Sequence, residues 1–189
     1  EDFQQGSSNS FLWILLGGVI FNASNILLSA SISLAGMSVA FPLGVGIALV
    51  LGVIVNYLGL PSGNPIILFS GVALIVVAII CNGIASSKMS TKADDKSVNR
   101  KGIIIAVVAG ILMSLFYRFV VKGMDVENFE NPANGMLTPY SAIFIFSLGV
   151  LVSNFIFNTL VMKYPFVGSK VSYSEYFKGS ISTHLTGML

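Results

Sequence analysis

Charge is what this sequence has least of. Asp, Glu, Lys and Arg make up 10% of its 189 residues, against about 25% in typical soluble domains. Phe3 to Ser87 holds none of them. Too few charges remain to cover a water-facing surface, which excludes an ordinary soluble domain. Cysteine is nearly absent: the single Cys81 excludes an internal disulfide and a cysteine-based zinc site. The single His184 excludes a histidine cluster. Metal, nucleotide and nucleophile signatures are also missing. No cofactor, enzymatic activity or nucleic-acid partner is expected. The net charge of +2 says little, because in a membrane protein the placement of basic residues matters more than their sum.

What fills the chain is apolar: 54% hydrophobic residues and a mean hydropathy of +0.87. A membrane-crossing helix needs about 20 mostly apolar residues. Five stretches qualify: Phe11–Leu34, Ser38–Leu58, Pro65–Ala85, Gly102–Val121 and Pro139–Met162. The fold class read from this is all-α, a polytopic membrane protein in the lipid bilayer. A cleaved signal peptide does not explain the first stretch, since no basic region precedes it and four more apolar stretches follow. The chain begins at Glu1 without methionine, and its end in "SISTHLTGML", with His184, reads as the start of a sixth helix, so a fragment of a longer protein is expected.

The breaks have local causes. "LGLPSGNP" carries Gly59, Pro61, Gly63 and Pro65, which stop one helix before the next. In "LTPY", Thr138 suits a cap and Pro139 the first helical position, where no N–H partner is required. "KYP" stops the fifth span at Pro165. "SLAGMS" is so short and uncharged that it must be a tight turn at one membrane face. Phe11, Trp13, Tyr57, Tyr140 and Tyr164 fall at span ends, as interface anchors do.

Basic residues set the orientation. Ser86–Lys101 holds Lys88, Lys92, Lys96, Arg100 and Lys101 against Asp94 and Asp95. The segment after the fifth span holds Lys163, Lys170 and Lys178 against Glu175. The loop after Val121 has Lys122 against Asp125, Glu127 and Glu130. Positive segments stay inside. Residues 86–101 and 163–180 are therefore expected in the cytoplasm, and the N-terminal stub outside.

Polar groups inside the spans are the candidate functional residues. Gly18, Asn22, Asn25 and Ser29 are spaced by four, three and four, which is one helical face. Hydrocarbon offers no water to satisfy an amide, so that face points into the bundle. Asn22 and Asn25 either bond neighbouring helices as structural glue or line a solute site. Gly44, Ala48 and Gly52 repeat every four residues, a close-packing stripe. Asn56 lies one turn further along and reads as interfacial. Pro42 removes one helix hydrogen bond, the one to the carbonyl of Ser38. Ala106, Gly110, Ser114 and Arg118 also repeat every four. Arg118, the one charged residue within these spans, either snorkels to the headgroups or faces a cavity. Ser147, Asn154 and Asn158 share a face of the fifth span. No carboxylate lies inside a span, so a proton relay would need one from elsewhere.

"GGVIFNASNILLSASISLAGMSVAFPLGVGIALVLGVIVNY" resembles the third and fourth helices of the drug/metabolite transporter superfamily. The resembling features are Gly18, Asn25, the Gly36-Met37-Ser38 turn and the glycines from Gly44 to Gly52. The similarity is greatest to the branch of glucose/ribose uptake proteins, the rhamnose–proton symporter and ureide permeases. "LTPYSAIFIFSLGVLVSNFIFN" and "YFKGSISTHLTGML" resemble segments of bacterial members, which implies a bacterial inner membrane. The resemblance implies ten helices in two inverted five-helix repeats, with these five as the third to the seventh. Residues 1–85 would then close the first repeat, 86–101 link the two, and 102–189 open the second. A central cavity would alternate its access between the two sides.

The function expected is a secondary transporter piece moving a small polar solute, a sugar or a nitrogenous metabolite. A coupling ion and the missing helices would be its further partners. Asn22, Asn25, Ser29, Pro42, Ser114, Arg118, Asn154 and Asn158 are the expected substrate-binding residues. Asparagine offers both donors and an acceptor to such a solute. An exporter of lipophilic compounds and a non-transporting membrane scaffold are the alternatives.

Overall fold

The structure, a computed structural model, describes residues 2–61, 63–89 and 96–182, with side chains for all of these except 86–89 and 96–99. His184 and the expected sixth helix beyond Ser182 lie outside the described residues, as do Lys92, Asp94 and Asp95. The helices are α1 (Asp2–Gln5), α2 (Ser8–Ala35), α3 (Met37–Gly59), α4 (Pro65–Met89), α5 (Lys96–Val121), α6 (Pro139–Lys163) and α7 (Tyr173–Phe177). Among the described residues, extended pairing is limited to two isolated bridges, Gly6 with Gly135 and Met124 with Leu137. Five helices, α2 to α6, are long and apolar enough to cross a membrane.

The connections follow from their residues. Gly36 alone joins α2 to α3, at φ 81°, a conformation that a side chain would strain. Its N–H still closes the last turn of α2 on the carbonyl of Ile32, at 2.9 Å. Asn64 accepts a bond from the N–H of Ile66 at the start of α4. Thr138 caps α6 through the N–H of Ser141, with Pro139 as the first helical residue. The polar segment over 86–101 is less loop-like than its composition predicts. Helix α4 runs on to Met89 and α5 begins at Lys96. Lys, Ser and Arg are tolerable helix formers once beyond the hydrocarbon.

Helix α2 is the hub. It packs on α5, α6 and α3, while α5 also packs on α3 and α4 rests chiefly on α3. Small residues permit these approaches, as expected where helices do not gain from excluding water. A Cβ added at Gly18 would run into the carbonyl of Phe146, and one at Gly149 into that of Leu15. A Cβ at Gly110 would lie 2.6 Å from the carbonyl of Gly44. Phe21, Phe116 and Phe146 meet at centroid distances of 5.0, 5.4 and 5.9 Å, joining α2, α5 and α6. The surface is the apolar part: Leu74, Ile80, Ile143, Phe155 and Ile156 are all more than half exposed. Ser24, Ser31, Ser153 and Asn22 are buried. Lipid solvates that exterior, so this distribution suits a bilayer.

The two ends of the bundle are distinct. The N-terminal stub, the α3–α4 turn and the α5–α6 loop share one end. Gly135 accepts bonds from the N–H of Ser7 and the hydroxyl of Ser10. Leu60, Pro61, Val126 and Glu127 line one cavity there. The α2–α3 turn and the start of α5 share the other end, where a Cβ on Gly102 would strike Ala35. The segment after α6 joins them, since Pro165 and Val167 line a hollow with Ser29 and Ser33.

Candidate functional site

A cavity of about 750 Å³ opens at the end of the bundle shared by the N-terminal stub. Small-molecule sites typically occupy about 300–1,000 Å³. Helix α3 supplies Ala48, Gly52 and Asn56, one stripe at four-residue spacing, together with Tyr57. Helix α5 supplies Phe116, Tyr117 and Arg118. Val126 and Glu127 of the α5–α6 loop complete one wall, and Leu68 of α4 another. Tyr57 is held edge-on against Phe69 of α4, at a centroid distance of 5.4 Å.

Arg118 reaches this cavity because of a glycine on the neighbouring helix. Its guanidinium lies where a side chain at Gly59 would have to stand. Gly59 ends α3, and the carbonyl end of a helix carries about half a negative charge, which favours a cation there. Arg118 is partly buried, and no ion pair engages it among the described residues. Arg118 thus brings N–H donors to the lining of the cavity.

Glu127 is placed by a different device. The carboxylate of Asp125 accepts the N–H groups of Glu127 at 3.0 Å, Asn128 at 3.1 Å and Ala133 at 2.9 Å. These bonds, that from Ala133 foremost, hold the Asp125 carboxyl below its ordinary acidity range. The N–H of Asp125 bonds the carbonyl of Leu137, and the N–H of Leu137 that of Gly123. Leu137 is fully buried with Ile14, Ala142 and Ile145. The loop is therefore fixed to the bundle, and Glu127 has a defined position on it. Sequence reading counted Glu127 only as a loop charge and took Asn56 as interfacial, so neither was expected in a site. The one available signal was Asp125 with N–H groups two and three residues on, the pattern of an Asx turn.

The other sequence-predicted residues fall in several places. Asn22 is buried and donates to the Ser153 hydroxyl at 2.9 Å and the Val150 carbonyl at 3.3 Å, joining α2 to α6. Asn25 donates to the Phe21 carbonyl of its own helix at 3.0 Å. Ser114 is buried, bonds the carbonyl of Ile111, and has its Cα opposite Gly52. Pro42 is half-buried inside α3, which continues through it. Ser29 and Asn158 come together, lining a hollow of about 330 Å³ at the opposite end of the bundle. Asn158 donates to Asn154 at 3.1 Å, and both are exposed on α6.

Fold and site together define an all-helical bundle, with five helices long and apolar enough to cross a membrane and a cavity at one end lined by Arg118, Asn56 and Glu127. No family model matches the chain, and no curated protein or solved structure matches it either.

Proposed function

We propose that the chain is part of a secondary transporter that moves a small polar solute, a sugar or a nitrogenous metabolite, by alternating access. The observation that carries this reading is Arg118, the one charge within the five apolar stretches, lining a cavity of about 750 Å³ beside Asn56. An intramembrane charge is costly and tends to mark a solute or ion path. The smaller hollow at the opposite end, with Ser29 and Asn158, supports the reading because alternating access requires an opening on each side. Ten helices in two inverted repeats, as the resemblance to the drug/metabolite transporter superfamily implies, would supply the missing walls. In this reading Arg100, Lys101, Lys163 and Lys170 face the cytoplasm of a bacterial cell, and the Arg118 cavity opens outside.

The test is uptake of labelled sugars, allantoin and uracil by the full-length protein in proteoliposomes. Arg118→Ala and Asn56→Ala are expected to lower uptake by about tenfold or more, the loss of one or two directed hydrogen bonds. Uptake unchanged in both variants would remove the cavity from the solute path. The apolar walls, Leu49, Val53, Phe116 and Val121, favour one second reading, an exporter of lipophilic compounds. That reading predicts efflux of hydrophobic cations that is indifferent to Arg118→Ala.

A further inference from the structure

We propose that the Arg118 cavity takes a zwitterionic solute, a molecule carrying a carboxylate and an ammonium group, with an apolar side chain. The inference rests on the site of the transport reading and names its ligand class. Charges of both signs line this one cavity: Arg118 from α5 and Glu127 from the α5–α6 loop. No direct ion pair joins the two among the described residues. Each is held where it is by something else. Arg118 rests against Gly59 at the carbonyl end of α3. Glu127 follows the backbone that Asp125 clamps at 3.0 Å.

A neutral polyhydroxyl solute would cover these two charges without countering either, and covering an uncountered charge is costly. An anion would satisfy Arg118 and leave Glu127 facing it with like charge. A zwitterion satisfies both at once: the guanidinium receives the carboxylate as a two-pronged acceptor, and Glu127 accepts from the ammonium. Most of the remaining lining is apolar, Leu49, Val53, Phe116 and Val121 among it, which suits an aliphatic side chain. The cavity has room for an amino acid of that kind.

Leucine is the probe, applied to the full-length protein in proteoliposomes. Uptake of labelled leucine is challenged with 4-methylpentanoate, which lacks the ammonium, with isopentylamine, which lacks the carboxylate, and with glucose. Leucine is expected to compete about tenfold or more better than any of the three. Arg118→Gln should abolish its advantage over isopentylamine, and Glu127→Gln its advantage over 4-methylpentanoate. An unaltered preference in Glu127→Gln would overturn the zwitterion, as would glucose outcompeting leucine. Arg118-dependent uptake of glucose or uracil, with leucine inert, would leave the transport reading standing and end this one. Thermal unfolding of the purified protein separates the reverse case. Stabilisation by leucine in the wild type but not in Arg118→Gln, without uptake of any solute, would sustain the ligand class while transport fails.

Discussion

At Gly59 a single missing side chain decides where the chain's most costly group can go. A Cβ there would occupy the place of the Arg118 guanidinium. The obstructed atoms are the far end of a flexible side chain, so the helices need not move. Gly59→Ala is therefore expected to fold with a thermal midpoint close to that of the wild type and to lose most solute uptake. A midpoint lowered as far as that of a packing variant would show that Gly59 serves the fold instead. Asn22 predicts the opposite pattern. Its bonds to Ser153 and Val150 hold α2 to α6, and such interhelical bonds are worth about 0.6–2 kcal/mol. Asn22→Ala should lower stability by that order in a detergent unfolding titration and leave the KM of surviving uptake unchanged.

Asp125 gives a pH dependence at the same scale. Its folded-state pKa lies below the usual aspartate range, through the backbone bonds of Ala133, Asn128 and Glu127. A depressed carboxylate stabilises the folded loop fully above the unfolded value, and that stabilisation is lost as the pH falls through the folded one. Protease nicking of the α5–α6 loop should therefore rise only as the pH drops below about 3.8. In Asp125→Asn it should already be raised at neutral pH. Equal nicking of the two proteins at neutral pH would show that the carboxylate does not hold the loop.

Among the elements, the α2–α6 contact depends most on the absence of side chains. Gly18 and Gly149 let each helix rest against the other's backbone, at the carbonyls of Phe146 and Leu15. Backbone cannot yield as a side-chain tip does. Gly18→Leu is expected to separate the pair and sharply reduce the yield of monodisperse protein. Gly71→Leu on α4, where an added side chain meets open space, should not. The elements themselves were largely legible in the sequence. The stretch Ser38–Leu58 became Met37–Gly59, and Pro139–Met162 became Pro139–Lys163. Composition sets such boundaries, because the hydrocarbon admits only backbone that bonds within its own segment. Less legible were the elements outside the apolar runs. Helix α7 is announced by Ser172 and Glu175, which form a reciprocal cap across its first turn. That motif is four residues long and easily passed over beside 25-residue helices.

Over the whole molecule, the up-and-down course of α2 to α6 separates two differently charged ends. Lys122 with Asp125, Glu127 and Glu130 belongs to one, and Arg100, Lys101, Lys163, Lys170 and Lys178 with Glu175 to the other. Positive segments remain inside. With Cys81 replaced by serine, a cysteine at Asn128 should react with an impermeant maleimide from outside the cell, and one at Ser169 only after the membrane is opened. Labelling of both from one side would overturn this orientation.

The sequence by itself marked five helices long and apolar enough to cross a membrane, with their approximate limits, because length and hydropathy are read locally along the chain. It marked Arg118 as unusual but could not say what the guanidinium would meet. That depended on Gly59, Asn56 and Glu127, which lie on a neighbouring helix and a distant loop. It likewise grouped Asn22 with Asn25 on one helical face. Only the tertiary structure divided them, one bonding α6 and the other its own backbone. A hydrogen bond between helices depends on side-chain direction and crossing geometry, and spacing along one helix carries neither.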